Sequence, residues 1–173
     1  MERWDLYTED RKLSGKTMVR GEHIPAGLVH LVVGIWTVNR RGQILLTLRH
    51  PQKEVYPNTW ENSGGAVQMG ETSLEAAVRE LKEETGIAAR PEELILLGSE
   101  MRDDAIVDCY LIHKDISLMD IQLQEGETVD ARWATPYEVE AACENGTMAR
   151  PVARRWYQMR EQILKEMQRS QEA

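Results

Sequence analysis

Cysteine is nearly absent from this chain, and the two that occur, Cys109 and Cys143, form no CxxC pair and have no histidine at zinc-finger spacing. That argues against a cysteine zinc site and makes buried free thiols the expectation, ahead of a disulfide. Long apolar runs are missing as well: nothing approaches the ~20 residues that a membrane-spanning helix needs. The opening segment, MERWDLYTED, is acidic and polar. It lacks the basic and then apolar order of a secretory signal, so a cytoplasmic location without membrane attachment is expected. Positive charge is in deficit, with 21 Lys and Arg against 29 Asp and Glu and a formal net charge of −8. Such a balance argues against an extended nucleic-acid surface. It leaves room for a small phosphate-bearing substrate, because bound metal ions reverse the local sign. Internal repeats, low-complexity tracts and Gly/Ser linkers are absent too. The 173 residues carry ordinary hydrophobic and charged fractions, 42% and 29%. They suffice for one domain with a sizeable core and hardly for two.

Two segments are expected along the chain: an N-terminal arm over residues 1–27, packed on the domain, and the main domain over 28–173. Turn signals in the arm stand at Ser14-Gly15 and Pro25-Ala26-Gly27. HLVVGIWTVN (30–39), rich in β-branched residues, and QILLTLRH (43–50) read as a hairpin turned by Arg40-Arg41-Gly42. A loop with Pro51 and Pro57 leads to a short strand, TWEN (59–62), then to a glycine-rich turn and a helix. ELILLGSE (93–100) and AIVDCYLIHK (105–114) are further strands, and EGETVDARW (125–133) reads as a loop. Thr135-Pro136-Tyr137-Glu138 has the order of a capped helix start, and that helix should stop near Asn145-Gly146. A last helix opens at Pro151 with Val152, Trp156, Met159, Ile163 and Met167 as a docking stripe. Arg150, Arg154, Arg155 and Arg160 read as its solvated face. Tyr56 and Trp60 are expected to be buried aromatics, with stacking on a substrate ring as the alternative. Strands mixed with helices in this order indicate one α/β (α+β) domain with a mixed sheet.

The densest chemistry lies in RELKEE, residues 79–84. Thr72-Ser73-Leu74-Glu75 fits a capping box, so a helix starts there, and Gly86 supplies its stop. Leu74, Ala77, Val78 and Leu81 then make one apolar face. Glu80, Glu83 and Glu84 share another, where like charges at this spacing cost roughly 0.2–0.5 kcal/mol per pair. Helix chemistry alone leaves two readings open, a solvated acidic face or a site for a hard divalent cation. The preceding segment Gly64-Gly65-Ala66-Val67-Gln68-Met69-Gly70-Glu71 favours the second. Its three glycines allow a close backbone approach or a sharp turn.

Gly65, five residues, Glu71, seven residues and then Arg79-Glu80-Leu81-Lys82-Glu83-Glu84-Thr85-Gly86-Ile87 resembles the Nudix box at every position that motif specifies. The resemblance implies a Nudix α/β/α sandwich with a loop–helix–loop metal site. It implies a hydrolase that uses Mg²⁺, or Mn²⁺ as a substitute, to cleave a diphosphate linkage in a nucleoside-diphosphate-type or other small organic diphosphate. Carried over by residue, Glu80, Glu83 and Glu84 are metal ligands, with the Gly65 carbonyl a further one, and Glu83 and Glu84 are also catalytic. Glu71 and Arg79 would pair to hold the loop against the helix. Gln68 stands where the commoner form of the turn often has glutamate. Glu127 is a candidate general base, the alternative being an exposed loop acid. Substrate identity and oligomeric state are not legible, and a homodimer is left open.

A second resemblance covers the arm and RGEHIPAGLVHLVVGIWTVNRRGQ, which looks like the front half of isopentenyl diphosphate isomerase, a Nudix-fold relative. His23 and His30 are similar in spacing to two of its metal-binding histidines. That enzyme uses a cysteine and a histidine where this chain has Gly64 and Ala66, so isomerisation lacks its acid here. The glutamate-rich box is intact, as hydrolysis requires. An isomerase and a catalytically silent Nudix-fold binding module remain the alternatives.

Overall fold

The computed structural model describes residues 1–172, with side chains through Arg169. Among the described residues nine strands are formed: β1 (Arg3–Thr8), β2 (Leu13–Val19), β3 (Leu28–Val38), β4 (Ile44–Arg49), β5 (Trp60–Glu61), β6 (Ser63–Ala66), β7 (Ile95–Met101), β8 (Ala105–His113) and β9 (Thr128–Ala134). Three helices accompany them: α1 (Ser73–Thr85), α2 (Pro136–Glu144) and α3 (Arg150–Glu172). The long apolar run of β3 makes it the hub. It pairs antiparallel with β1, β4 and β6 and parallel with β8, so the sheet is mixed. β9 lies antiparallel to β4, and β7 to β8.

A strand that is apolar at nearly every position has both faces covered. Along β3, Leu31, Val33 and Ile35 join Leu81 of α1 on one side. Trp36 and Val38 join Trp156 and Ile163 of α3 on the other. The result is an α/β/α sandwich. Val152, Trp156, Met159, Ile163 and Met167 are all buried, and the Trp36 and Trp156 rings meet at 5.7 Å. The arginines of α3 are not all solvated, however. Arg155 is only 8% exposed, its guanidinium lying beside Gly34 of β3. Arg154 pairs with the buried Glu100 at 2.5 Å. Tyr56 packs on the α3-side core, as does Trp60, whose ring carries the Arg132 guanidinium at 4.3 Å. Both cysteines are free thiols, Cys109 buried and Cys143 partly so, and burial pushes each up to about 11.

Three segments depart from expectation. Residues 128–134 form β9, not a loop, because β4 offers a free antiparallel edge. Residues 63–66 are a strand on β3, not only a turn. Ser14-Gly15 lies inside β2, where a register shift opposite Asp5 and Tyr7 absorbs the irregularity.

The β1–β2 turn is tied to β8. Arg11 donates to both Asp108 oxygens, at 2.7 Å to Oδ1, and the Ser99 hydroxyl donates to Oδ1 at 2.6 Å. Burial works to raise the Asp108 carboxyl, but the hydrogen bonds from Arg11, Ser73 and Ser99 outweigh it and hold the group below the usual range. A lowered value contributes stability above the unfolded-state pKa and loses it as pH falls through the folded one. Arg11→Ala is therefore expected to cost about 1–3 kcal/mol at pH 7, with the gap to wild type closing toward pH 3. Urea unfolding at the two pH values measures this, and a pH-independent gap would contradict it.

Candidate active site

The phase of α1 is set at both ends. The Thr72 hydroxyl accepts from Glu75 N at 3.2 Å while the Glu75 carboxylate accepts from Thr72 N at 2.8 Å. Gly86 closes the helix, its N–H donating to Lys82 O at 2.8 Å. With Ala76, Ala77, Leu81 and Thr85 turned inward, Glu80 and Glu84 face β6. There the two glycines meet them at close range. Gly64 N donates to Glu84 Oε2 at 3.0 Å. A Cβ on Gly65 would fall 2.3 Å from Glu80 Oε1, and one on Gly64 2.3 Å from the Val33 carbonyl. Neither position admits a side chain without displacement.

Arg79 binds the segment before the helix to the helix itself. Its Nε and Nη2 donate to the two Glu71 oxygens at 2.8 and 2.9 Å, and Nη2 also reaches Ala66 O at 3.1 Å. Nη1 donates to Glu80 Oε1 at 2.7 Å and to Glu83 Oε2 at 3.2 Å. Glu84 has no such cation. Burial pushes its carboxyl well above the usual range, and the charges of Glu61 and Glu80 push the same way. Glu80 is raised too, by burial first, with Arg79 opposing.

Glu61 is a member of this carboxylate group that sequence reasoning missed. It is raised by burial, with Arg49 opposing, whose Nη1 donates to its oxygens at 2.9 and 3.2 Å. The signal was available: residues 61, 63 and 65 alternate along β5 and β6 onto one face. Glu127 also comes to the site. It lines a cleft of about 630 Å³ together with Glu80, Glu83, Glu84, Arg49 and Lys53. Its carboxylate pairs with Lys53, and its carbonyl accepts from His50 N at 2.8 Å. The arm contributes to the same cleft through Glu2, Trp4 and Arg20, which spacing had not suggested. His23 is exposed in the irregular segment between β2 and β3. His30 is buried with its ring stacked on Trp4 at 4.3 Å.

Among the described residues no three Asp, Glu, His or Cys side chains are arrayed to hold an ion, since Arg79 engages Glu80 and Glu83. The donor set nevertheless fits a hard divalent cation. The partly buried Glu84 carboxyl, raised by Glu61 and Glu80 and hydrogen-bonded by the Gly64 N–H and the Ser63 hydroxyl, would be relieved by an oxygen-seeking ion.

The NUDIX domain model matches residues 28–157. The chain belongs to the Nudix family. It is 40% identical over 147 residues to an uncharacterized Nudix hydrolase of Listeria monocytogenes, across 84% of this chain and 87% of that protein. It is also 31% identical over 117 residues to an Escherichia coli isopentenyl-diphosphate Delta-isomerase, across 64% of each. Among solved structures, a Deinococcus radiodurans protein superposes with a TM-score of 0.74 at 26% identity, covering 90% of this chain and 99% of that one. The enzyme class is that of the Nudix hydrolases, a family that generally works with divalent metals. Gly65, Glu71, Arg79, Glu80, Glu83 and Glu84, the residues that resemble the Nudix box, lie inside the matched domain. Glu61 and Glu127 lie outside the box but inside the same domain.

Proposed function

We propose that this Nudix hydrolase uses Mg²⁺, or Mn²⁺ in its place, to cleave a diphosphate linkage in a small nucleoside-diphosphate-type or other organic diphosphate in the cytoplasm. The observation that carries this is the partly buried Glu80–Glu84 pair against the glycine strand, with Arg49 and Lys53 lining the same cleft. Glu80, Glu83, Glu84 and the Gly65 carbonyl would hold the ion. When bound, it polarises phosphoryl oxygens and activates water. Arg49 and Lys53 offset the diphosphate charge. As Lys53 turns from Glu127 to the phosphates, a Glu127 carboxylate oxygen is freed to take the proton of the attacking water. A ³¹P NMR screen of dinucleotide, nucleotide-sugar, deoxynucleotide and isoprenoid diphosphates with Mg²⁺ tests this. Cleavage of at least one class, abolished by chelator, is expected. Chelator-insensitive cleavage, or none, would overturn it.

The likeness to the E. coli isomerase invites a second reading, but Gly64 and Ala66 have no transferable proton. No isomerase activity is expected on isopentenyl diphosphate. Enzyme-dependent entry of solvent deuterium into the allylic product, followed by NMR with Mg²⁺ present, would restore that alternative.

A further inference from the structure

The matched family domain begins at residue 28, so β1 and β2 lie outside it. They nevertheless touch the Nudix box where it has least support. Gln68, Met69 and Gly70 are all exposed, so apolar packing does little to fix this turn. Hydrogen bonds must do so. Val67 N still donates to Leu31 O of β3 at 2.9 Å, within the matched domain. The chain then crosses to β1: Met69 N donates to Arg3 O at 2.8 Å, and Gly70 N to Asp5 Oδ2 at 2.8 Å. Gly70 has a φ of +79°, a left-handed conformation that swings the next residue toward α1. That residue is Glu71, which accepts from Gln68 N at 3.0 Å and from Arg79 at two oxygens. Arg79 in turn holds Glu80 and Glu83. A continuous series of contacts thus runs from Asp5 through Gly70, Glu71 and Arg79 to the carboxylates.

We propose that Asp5 is a positioning residue for the Nudix box, its carboxylate pinning the Gly70 amide so that Glu71 and Arg79 present Glu80 and Glu83 in register. This rests on the metal-dependent hydrolase reading above. Holding β1 in place does not require Asp5. The strand is paired with β2 through Trp4–Met18 and Asp5–Thr17, and Arg11 anchors the adjoining turn to Asp108. The carboxylate is free to act on the turn it faces.

The test compares wild type with Asp5→Ala, Asp5→Asn and Asp5→Thr. Asparagine keeps an oxygen acceptor at the same reach, whereas threonine suits a strand but is too short to reach Gly70. Asp10→Ala, in the same hairpin but away from the turn, is the control. Amide exchange at Gly70 in the metal-free protein should accelerate about tenfold or more in Asp5→Ala and Asp5→Thr, and little in Asp5→Asn. Half-saturation by Mn²⁺ should shift upward in parallel. With the substrate found by the screen, kcat should fall about tenfold or more while KM changes little, and Asp5→Asn should restore it. Unchanged Gly70 exchange in folded Asp5→Ala or Asp5→Thr would overturn the pin, as would equal losses in Asp5→Asn and Asp5→Ala. If wild type hydrolyses nothing, the hydrolase reading fails, while amide exchange and Mn²⁺ binding still decide the role of Asp5.

Discussion

Glu84→Gln is expected to raise the melting temperature of the metal-free protein while lowering turnover on the order of 10²–10³-fold. Both effects have one origin. The Glu84 carboxyl is driven well above its ordinary value of 4.5 by burial and by its neighbours Glu61 and Glu80. A raised carboxyl contributes stability below about pH 4.5 that is lost as pH rises through the folded-state value. Glutamine cannot ionise, so the variant escapes that loss. The amide keeps an oxygen to accept from Gly64 N, 3.0 Å away from the present carboxylate, so the fold has no reason to change. Added Mg²⁺ should stabilise wild type and leave the variant nearly unaffected. Glu83→Gln should show the same loss of turnover. Its side chain is 46% exposed and meets Arg79 at 3.2 Å, so its melting should shift by no more than about 0.5 kcal/mol equivalent. Melting curves with and without metal, beside turnover, check both. Full activity in a folded Glu84→Gln protein would remove Glu84 from the chemistry.

Alanine at the two neighbouring glycines should separate folding from catalysis. A Cβ at Gly64 would lie 2.3 Å from the Val33 carbonyl and 3.2 Å from Gly34 Cα. Both obstacles are backbone of the central strand, so β3 and β6 must part. Gly64→Ala is expected to destabilise by at least ~1–3 kcal/mol, the usual range for overpacking. The three atoms nearest a Cβ at Gly65 all belong to the Glu80 carboxyl, at 2.3 to 2.7 Å, the movable end of a long side chain. Gly65→Ala should fold with nearly unchanged melting. Its displaced carboxylate should cost turnover about 10²-fold, as expected for a misplacement near 1 Å. Equal melting of the two variants, or an active Gly65→Ala, would show that the steric accounting is wrong.

The elements legible in the sequence are those with strong local signals. β3, β4 and β8 are dense in apolar β-branched residues and lie within one or two residues of the expected spans. α1 and α2 carry capping boxes at Thr72 and Thr135, and the α3 stripe repeats at helical spacing. β9 was hidden because Val129 and Asp130 face solvent and Arg132 lies on Trp60, so its apolar alternation is diluted. Only pairing with β4 makes it a strand.

The box glutamates were legible because a motif with many fixed positions is dense in information. The residues around them depend on contacts between distant parts of the chain. Glu61 joins the carboxylates across β5 and β6, and Lys53 meets Glu127 although 74 positions separate them. Asp5 reaches Gly70 across 65. Arg155, expected among solvated arginines, is buried beside Gly34 of a different element. Apart from the alternation that points to Glu61, spacing along one helix or strand carries none of this.

Calorimetric titration of Mn²⁺ into metal-free wild type, Glu84→Gln and Gly65→Ala, each with and without a diphosphate ligand, decides whether the acidic face of α1 is a metal site. Saturable binding is predicted in wild type, weakened about tenfold or more in both variants while their folds persist. Absence of binding in wild type, or equal binding in all three folded proteins, would contradict it.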